Sequence, residues 1–311
     1  MLWNDFILRA KNATFLFHRD FMEYHSDRFL DYSLLVFENE NLISILPANR
    51  VEELVFSHQG LTYGGFVFEP KIKLGQALNV VKEVLSFLTE NEIKSLTLKL
   101  LPNIYNSVFS EEIEYALFLT EAKLFRRDCL SVLDLAKTFK ISKTRKESIN
   151  RGKKNNLIIK EEPNFKLFWE EILIPNLDRK HNAKPVHTVE EIEQLHHAFP
   201  NNIRHFNVYN NDKIVAGTTI FVTNTVAHPQ YISGNSQKNE LGSIDYLYHH
   251  LITEIFKDKH YFDFGPSHEN NGTQINQGIL FWKESFGAKT TVQDWYEVKT
   301  ESFSKLENIL I

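Results

Sequence analysis

Between Tyr261 and Ala288 the chain reads YFDFGPSHENNGTQINQGILFWKESFGA. An apolar run stops at Gly265, a polar loop rich in Asn, Gln, Gly and His follows, and an aromatic segment closes around Lys283. A buried strand that empties into a long polar loop and then a short helix is how α/β proteins place a site at a strand's C-terminal end. That pattern needs further strands and helices beside it.

The rest of the sequence supplies them. Ser33–Phe37 and Leu42–Leu46 flank the polar turn ENEN and predict a hairpin. Leu74, Leu78, Val81, Leu85 and Leu88 recur at spacings of four and three, predicting a helix over Leu74–Thr89. Alternation predicts a strand at Ser95–Leu101, and Ser110 is placed to cap a helix over Glu111–Ala122 before a strand at Asp128–Leu135. In the second half a helix is expected at Phe165–Leu177. Thr188 and Glu191 fit a capping box, and strands are expected at Ile203–Tyr209, Ile214–Val222 and Val226–Gly234. A helix at Ser243–Phe256 and strands at Tyr261–Gly265 and Val292–Lys299 complete it. At 311 residues two domains are expected, 1–136 and 137–311, with the last strand and tail free to pack back on the first. Both halves share one order, a meander and then helix–strand–helix–strand, which points to a duplicated fold.

Residues 137–160 break the pattern, with nine Lys or Arg against one acid, Glu147. Residues 142–151 look helical from the Ser142 cap, yet Ile149 is their only large apolar residue, so the core is not expected to place this helix. The chain's net charge of -5 gives no global reason to bind a polyanion, which makes this local cluster the one candidate for phosphate.

Several chemistries are excluded. One cysteine, Cys129, forms no intramolecular disulfide and reads as a small buried hydrophobe. There is no HExxH, and His196-His197 and His249-His250 are adjacent on helices, so their side chains diverge; no metal is expected. GxSxG and the P-loop are absent, and Asp263-Phe264-Gly265 comes without the other kinase motifs. No apolar window reaches a membrane span, and the N-terminus lacks a signal-peptide pattern, so a cytoplasmic protein is expected.

YISGNSQKNELGSIDYL, YFDFG and FWKESFGA, together with the basic KTRKESINRGKKNN, resemble the FemAB-like branch of the GNAT acyltransferases. ILPANR and TYGGFVF resemble its first domain. The resemblance implies an α/β (α+β) fold of two tandem GNAT-like domains, each a mixed, mainly antiparallel sheet flanked by helices. It also implies transfer of an acyl or aminoacyl group to an amine acceptor, of the class of an amino-sugar nucleotide or cell-envelope precursor. The donor is acyl-CoA or aminoacyl-tRNA, with no tightly bound cofactor. GNAT enzymes that use acetyl-CoA present a glycine-rich loop whose N–H groups grip pyrophosphate. Here that segment, Gln237 to Gly242-Ser243, keeps one glycine.

Candidate roles follow. By resemblance Lys283 meets the acyl carbonyl or leaving group, where a fixed cation stabilises the oxyanion by roughly 3 kcal/mol. His268, Glu269 and Asp263 are candidates to take the proton an attacking amine must lose. Arg145, Lys146, Arg151, Lys153 and Lys154 are candidates for phosphate, Arg by paired hydrogen bonds and Lys as a point charge. Arg179 and His181, in a polar loop with Lys184 and His187, and Tyr63 beside Gly64-Gly65, are expected to line the acceptor site. The rival reading is a non-catalytic module that binds RNA or another polyanion through the basic helix.

Overall fold

The computed structural model describes residues 2–309, and the side chains of Lys180 and His181 lie outside the described residues. The chain divides into two compact units. The first takes the residues up to Asp128, the turn Asn270–Gly272 and the segment from Val292 on; the second takes Cys129–Glu269 and Thr273–Thr291.

In the first unit α1 (Leu2–Arg9) and α2 (Arg19–Met22) precede the hairpin of β1 (Leu34–Glu38) and β2 (Asn41–Leu46). Asn39 and Glu40 both take positive φ in its turn, the conformation that matches strand twist in a two-residue loop. β3 (Asn49–Val51), β4 (Leu54–Ser57) and β5 (Val67–Phe68) follow, then α3 (Leu74–Glu90), β6 (Ser95–Lys99) and α4 (Glu112–Leu119). β4 runs parallel to β6, and residues 295–299 pair antiparallel with β6. Leu78, Val81, Leu85 and Leu88 of the predicted α3 stripe share one core with Leu96, Leu98, Val298 and Leu306, whereas Leu74 is exposed. Ser110 is not the cap of α4: Glu111 holds that position, and the Ser110 hydroxyl donates to Glu112.

β7 (Lys123–Asp134) passes from the first unit into the second. There α5 (Lys143–Lys154), β8 (Ile158–Glu161), α6 (Phe165–Phe168), α7 (Ile174–His181) and α8 (Val189–Ala198) follow, a π turn over Trp169–Leu173 joining α6 to α7. Next come β9 (Ile203–Asn210), β10 (Lys213–Val222), β11 (Val226–Gly234), α9 (Lys238–Leu241), α10 (Ser243–His250) and β12 (Tyr261–Pro266). The short pair β13 (His268–Glu269) and β14 (Gln274–Ile275), α11 (Gln277–Glu284) and β15 (Lys289–Lys299) close the order. Neighbours in this unit's sheet pair antiparallel except β11 and β12, so the class is the expected mixed, mainly antiparallel α/β. Side chains alternate across a strand. Phe262 and Phe264 therefore join Tyr248 and Phe286 in one core, while Asp263 points to the other face.

The expectation that the core does not place the basic helix is corrected. Ser148, Ile149 and Gly152 of α5 are buried, and Ile149 belongs to the same core as Tyr248. Small residues do the seating. A Cβ on Gly152 would lie 2.4 Å from Tyr246 Cβ, and one on Gly242 would lie 2.2 Å from the Ser148 carbonyl oxygen.

Candidate active site at the separating strands

β11 and β12 pair through two positions only, Val226 with Tyr261 and Ala227 with Phe262. Both strands continue, but apart. β12 slips in register against β7 between Asp263 and Pro266, with Gly265 at φ +73°, and Pro229 brings no N–H to β11. Beyond those two pairs His228 of β11 meets Asp263 of β12 through its side chain, and Lys283 reaches the carbonyls that follow.

His228 stands where the two strands part. Its Nδ1 lies 3.0 Å from the Asp263 carbonyl oxygen and 3.4 Å from Asp263 Oδ2. Both are acceptors, so Nδ1 carries a proton. The ring also explains Gly265, since a Cβ there would sit 3.1 Å from His228 Cε1. Asp263 is buried, and its Oδ1 accepts from the Gly265 N–H at 2.8 Å. This carboxylate, expected to take a proton from substrate, is instead committed to the backbone turn and to His228.

Lys283 projects from α11, which Asn276 caps by accepting from the Ile279 N–H. It is 5% exposed, and its ammonium donates to the carbonyls of Gly265 (2.9 Å) and Pro266 (2.6 Å). Burial lowers its pKa to about 8, against the opposing pull of Asp263 and Cys129. Lys283 therefore holds the end of β12 while keeping a cation beside the gap, and it is not a surface lysine.

Three helices are fixed to one another by Asp245 at the start of α10. It pairs with the Arg145 guanidinium through Oδ2 and accepts from Trp282 Nε1 through Oδ1 at 2.7 Å. Arg145 also donates to Ser285 Oγ at 2.9 Å and lies 5.5 Å from the Phe286 ring centre. Arg145 is thus turned inward and spent on α10 and α11, away from any phosphate. Lys146, Arg151, Lys153 and Lys154 are exposed on the outer side of the same helix.

The expected donor loop differs too. Gln237 is exposed, but Gly242 and Ser243 are buried, and Ser148 and Gly152 of α5 close over the αL turn at Gly242. The turn at Gly242, in the segment expected to meet the donor, is a helix–helix contact. Glu269 is exposed and accepts from Asn276 Nδ2 at 2.9 Å, and His268 is half-buried in the β13–β14 pair. Arg179 is exposed and donates to Asn176 Oδ1, whose amide reaches Ser233 and Gly234 at the end of β11. The side chain of His181 lies outside the described residues. His187 is buried, its Nδ1 2.5 Å from the Tyr231 hydroxyl of β11. Tyr63 is in the core of the first unit against Phe17 and Tyr105, not open to solvent.

His228 and Asp245 escaped sequence reasoning. The signal for His228 was a histidine directly before a proline inside a strand. Among the described residues no cluster of His, Cys, Asp or Glu could hold a metal, and no helix is long and apolar enough to cross a membrane.

Residues 173–272, which include β11, α10 and the whole of β12, match the family model of the acetyltransferase (GNAT) domain. Residues 173–272 thus carry the pattern of a GNAT acetyltransferase domain. Its fold is similar to that of FemX, with a TM-score of 0.69 at 10% identity over 98% of this chain and 97% of that one. L-PGS from Bacillus licheniformis superposes with a TM-score of 0.61 at 9% identity, covering 93% and 94% of the two chains. The C-terminal domain of a putative lysylphosphatidylglycerol synthetase from Agrobacterium fabrum gives 0.58 at 11% identity over 85% and 83%. No curated protein matches the chain in sequence. The chain therefore has a fold similar to that of FemX over nearly its whole length.

Proposed function

We propose that this acyltransferase moves an aminoacyl or acyl group to the amine of an amino-sugar nucleotide or related cell-envelope precursor, with the acyl carbonyl held in the gap between β11 and β12. The observation that carries the reading is the two-position pairing of those strands with a buried ammonium at the end of one. The Lys283 ammonium has three N–H donors and spends two on β12, so one is left for the oxyanion of the tetrahedral intermediate.

The seated glycine pair at 152 and 242 favours an aminoacyl-tRNA over acyl-CoA, because the turn that grips pyrophosphate in CoA users is covered here. The name of the lysylphosphatidylglycerol synthetase, which carries a lysyl group, supports the same side. Lys146, Arg151, Lys153 and Lys154 are open to solvent and offer the phosphate contacts. A non-catalytic polyanion module keeps this basic face but leaves the gap and its lysine unexplained.

The test is transfer from alanyl-tRNA or acetyl-CoA to UDP-glucosamine, with thermal shifts for each compound alone. Product from alanyl-tRNA with no shift from CoA is expected. A large shift and turnover with acetyl-CoA alone would mean that the 237–243 turn binds CoA despite its cover. Steep, salt-dependent RNA binding without transfer from either donor would favour the polyanion module.

A further inference from the structure

We propose that Nε2 of His228 takes the proton from the attacking amine, with Asp263 as the group that orients it; this rests on the acyl-transfer reading above. The Nδ1 edge of the ring faces only acceptors, the carbonyl oxygen of Asp263 at 3.0 Å and its Oδ2 at 3.4 Å. A neutral imidazole so placed has its proton on Nδ1 and its lone pair on Nε2. Nε2 has no hydrogen-bond partner among the described residues, and the side chain keeps 14% of its surface accessible.

Everything around the ring fixes this one tautomer. Asp263 is itself immobilised, its Oδ1 receiving the Gly265 N–H at 2.8 Å. Gly265 leaves just enough room for the Cε1 edge of the ring. A carboxylate that holds Nδ1–H also stabilises the imidazolium that forms when Nε2 gains a proton, the division of labour of a His–Asp pair in acyl transfer. The charged groups beside the ring along β12 are Asp263 itself and the Lys283 ammonium at Gly265 and Pro266.

The step balances without another reactant. The acceptor nitrogen forms a bond to the acyl carbon, and its surplus proton passes to His228 Nε2. The tetrahedral intermediate then collapses, the bond from the acyl carbon to the donor's ester oxygen breaks, and the imidazolium returns its proton to that oxygen. With a CoA donor the sulfur leaves in its place.

His228→Asn separates this role from a structural one. The Asn amide reproduces the Nδ1–H donor to the Asp263 carbonyl but has nothing at the position of Nε2. With alanyl-tRNA and UDP-glucosamine, His228→Asn is expected to keep the wild-type melting temperature and KM while kcat falls by about 10²- to 10⁴-fold. His228→Ala should regain turnover when imidazole is added. In ¹⁵N spectra of histidine-labelled protein, the resonance lost in His228→Asn should be that of an Nδ1–H tautomer. An Nε2–H tautomer, or an equally active His228→Asn beside an active wild type, overturns the assignment. The second result would leave the acyltransferase reading standing, whereas a wild type inactive with either donor would count against that reading. The tautomer is measured in either case.

Discussion

Gly152 of α5 and Gly242 at the head of α10 lie back to back, a Cβ on Gly152 falling 3.3 Å from the Gly242 carbonyl oxygen and one on Gly242 falling 3.1 Å from the Gly152 nitrogen. Neither position has room for alanine. At Gly242 the φ of +69° adds backbone strain to the clash with Ser148. Gly152→Ala and Gly242→Ala are therefore each expected to destabilise the chain by roughly 1–3 kcal/mol, read as a lower denaturation midpoint. A neutral Gly278→Ala, whose Cβ meets no atom closer than 3.6 Å, is the control.

Asp245 is the second fixed point. Asp245→Asn keeps an acceptor for Trp282 Nε1 and removes the charge that the largely enclosed Arg145 guanidinium faces. A buried cation left without its partner costs about 3–5 kcal/mol. Urea unfolding of Asp245→Asn should fall near that range, and Arg145→Met with Asp245→Asn should recover part of it.

Lys283 joins stability to chemistry. Lys283→Ala leaves the buried Gly265 carbonyl without its donor, at roughly 1–3 kcal/mol, and the more accessible Pro266 carbonyl to water. A variant that is merely inactive, with no loss of stability, is not what this geometry predicts. Lys283→Ala should melt earlier and transfer no acyl group. A fully active Lys283→Ala would remove the lysine from the site.

Acid should weaken the first unit through His58. Burial, then the neighbouring His25, lowers its pKa to about 4 from an ordinary 6.5. Between those values the unfolded chain binds the proton and the folded chain does not, so stability rises with pH across that window and is lost as pH falls through it. His58→Asn keeps an acceptor for the Gly60 N–H and removes the titration. Its loss of stability from pH 7 to pH 4.5 should be smaller than wild type's by roughly 2 kcal/mol.

Much of the fold was written in periodicity. The spacing of α3 and the Thr188–Glu191 cap were legible because each depends on residues within one or two turns. The inward turn of Arg145 was not, because a run of like charges hides direction. Arg145, Ser148, Ile149 and Gly152 recur at i, i+3, i+4 and i+7, which is a helical face, but three of the four are not apolar and the stripe went unread. Lys283 stood out beside its aromatic neighbours, whereas the carbonyls it holds come from another element. The role of His228 likewise depends on Asp263, 35 residues away, and no local pattern carries that distance.

Carbonyls near the end of β12, those of Asp263, Gly265 and Pro266, are taken by the His228 ring and the Lys283 ammonium. Two side chains thus act as a surrogate neighbouring strand. An opening inside a sheet otherwise exposes a bare edge that invites another peptide to add itself. Here those acceptors are already engaged, so the β12 edge beyond its two pairs with β11 offers an added peptide fewer carbonyls to pair with.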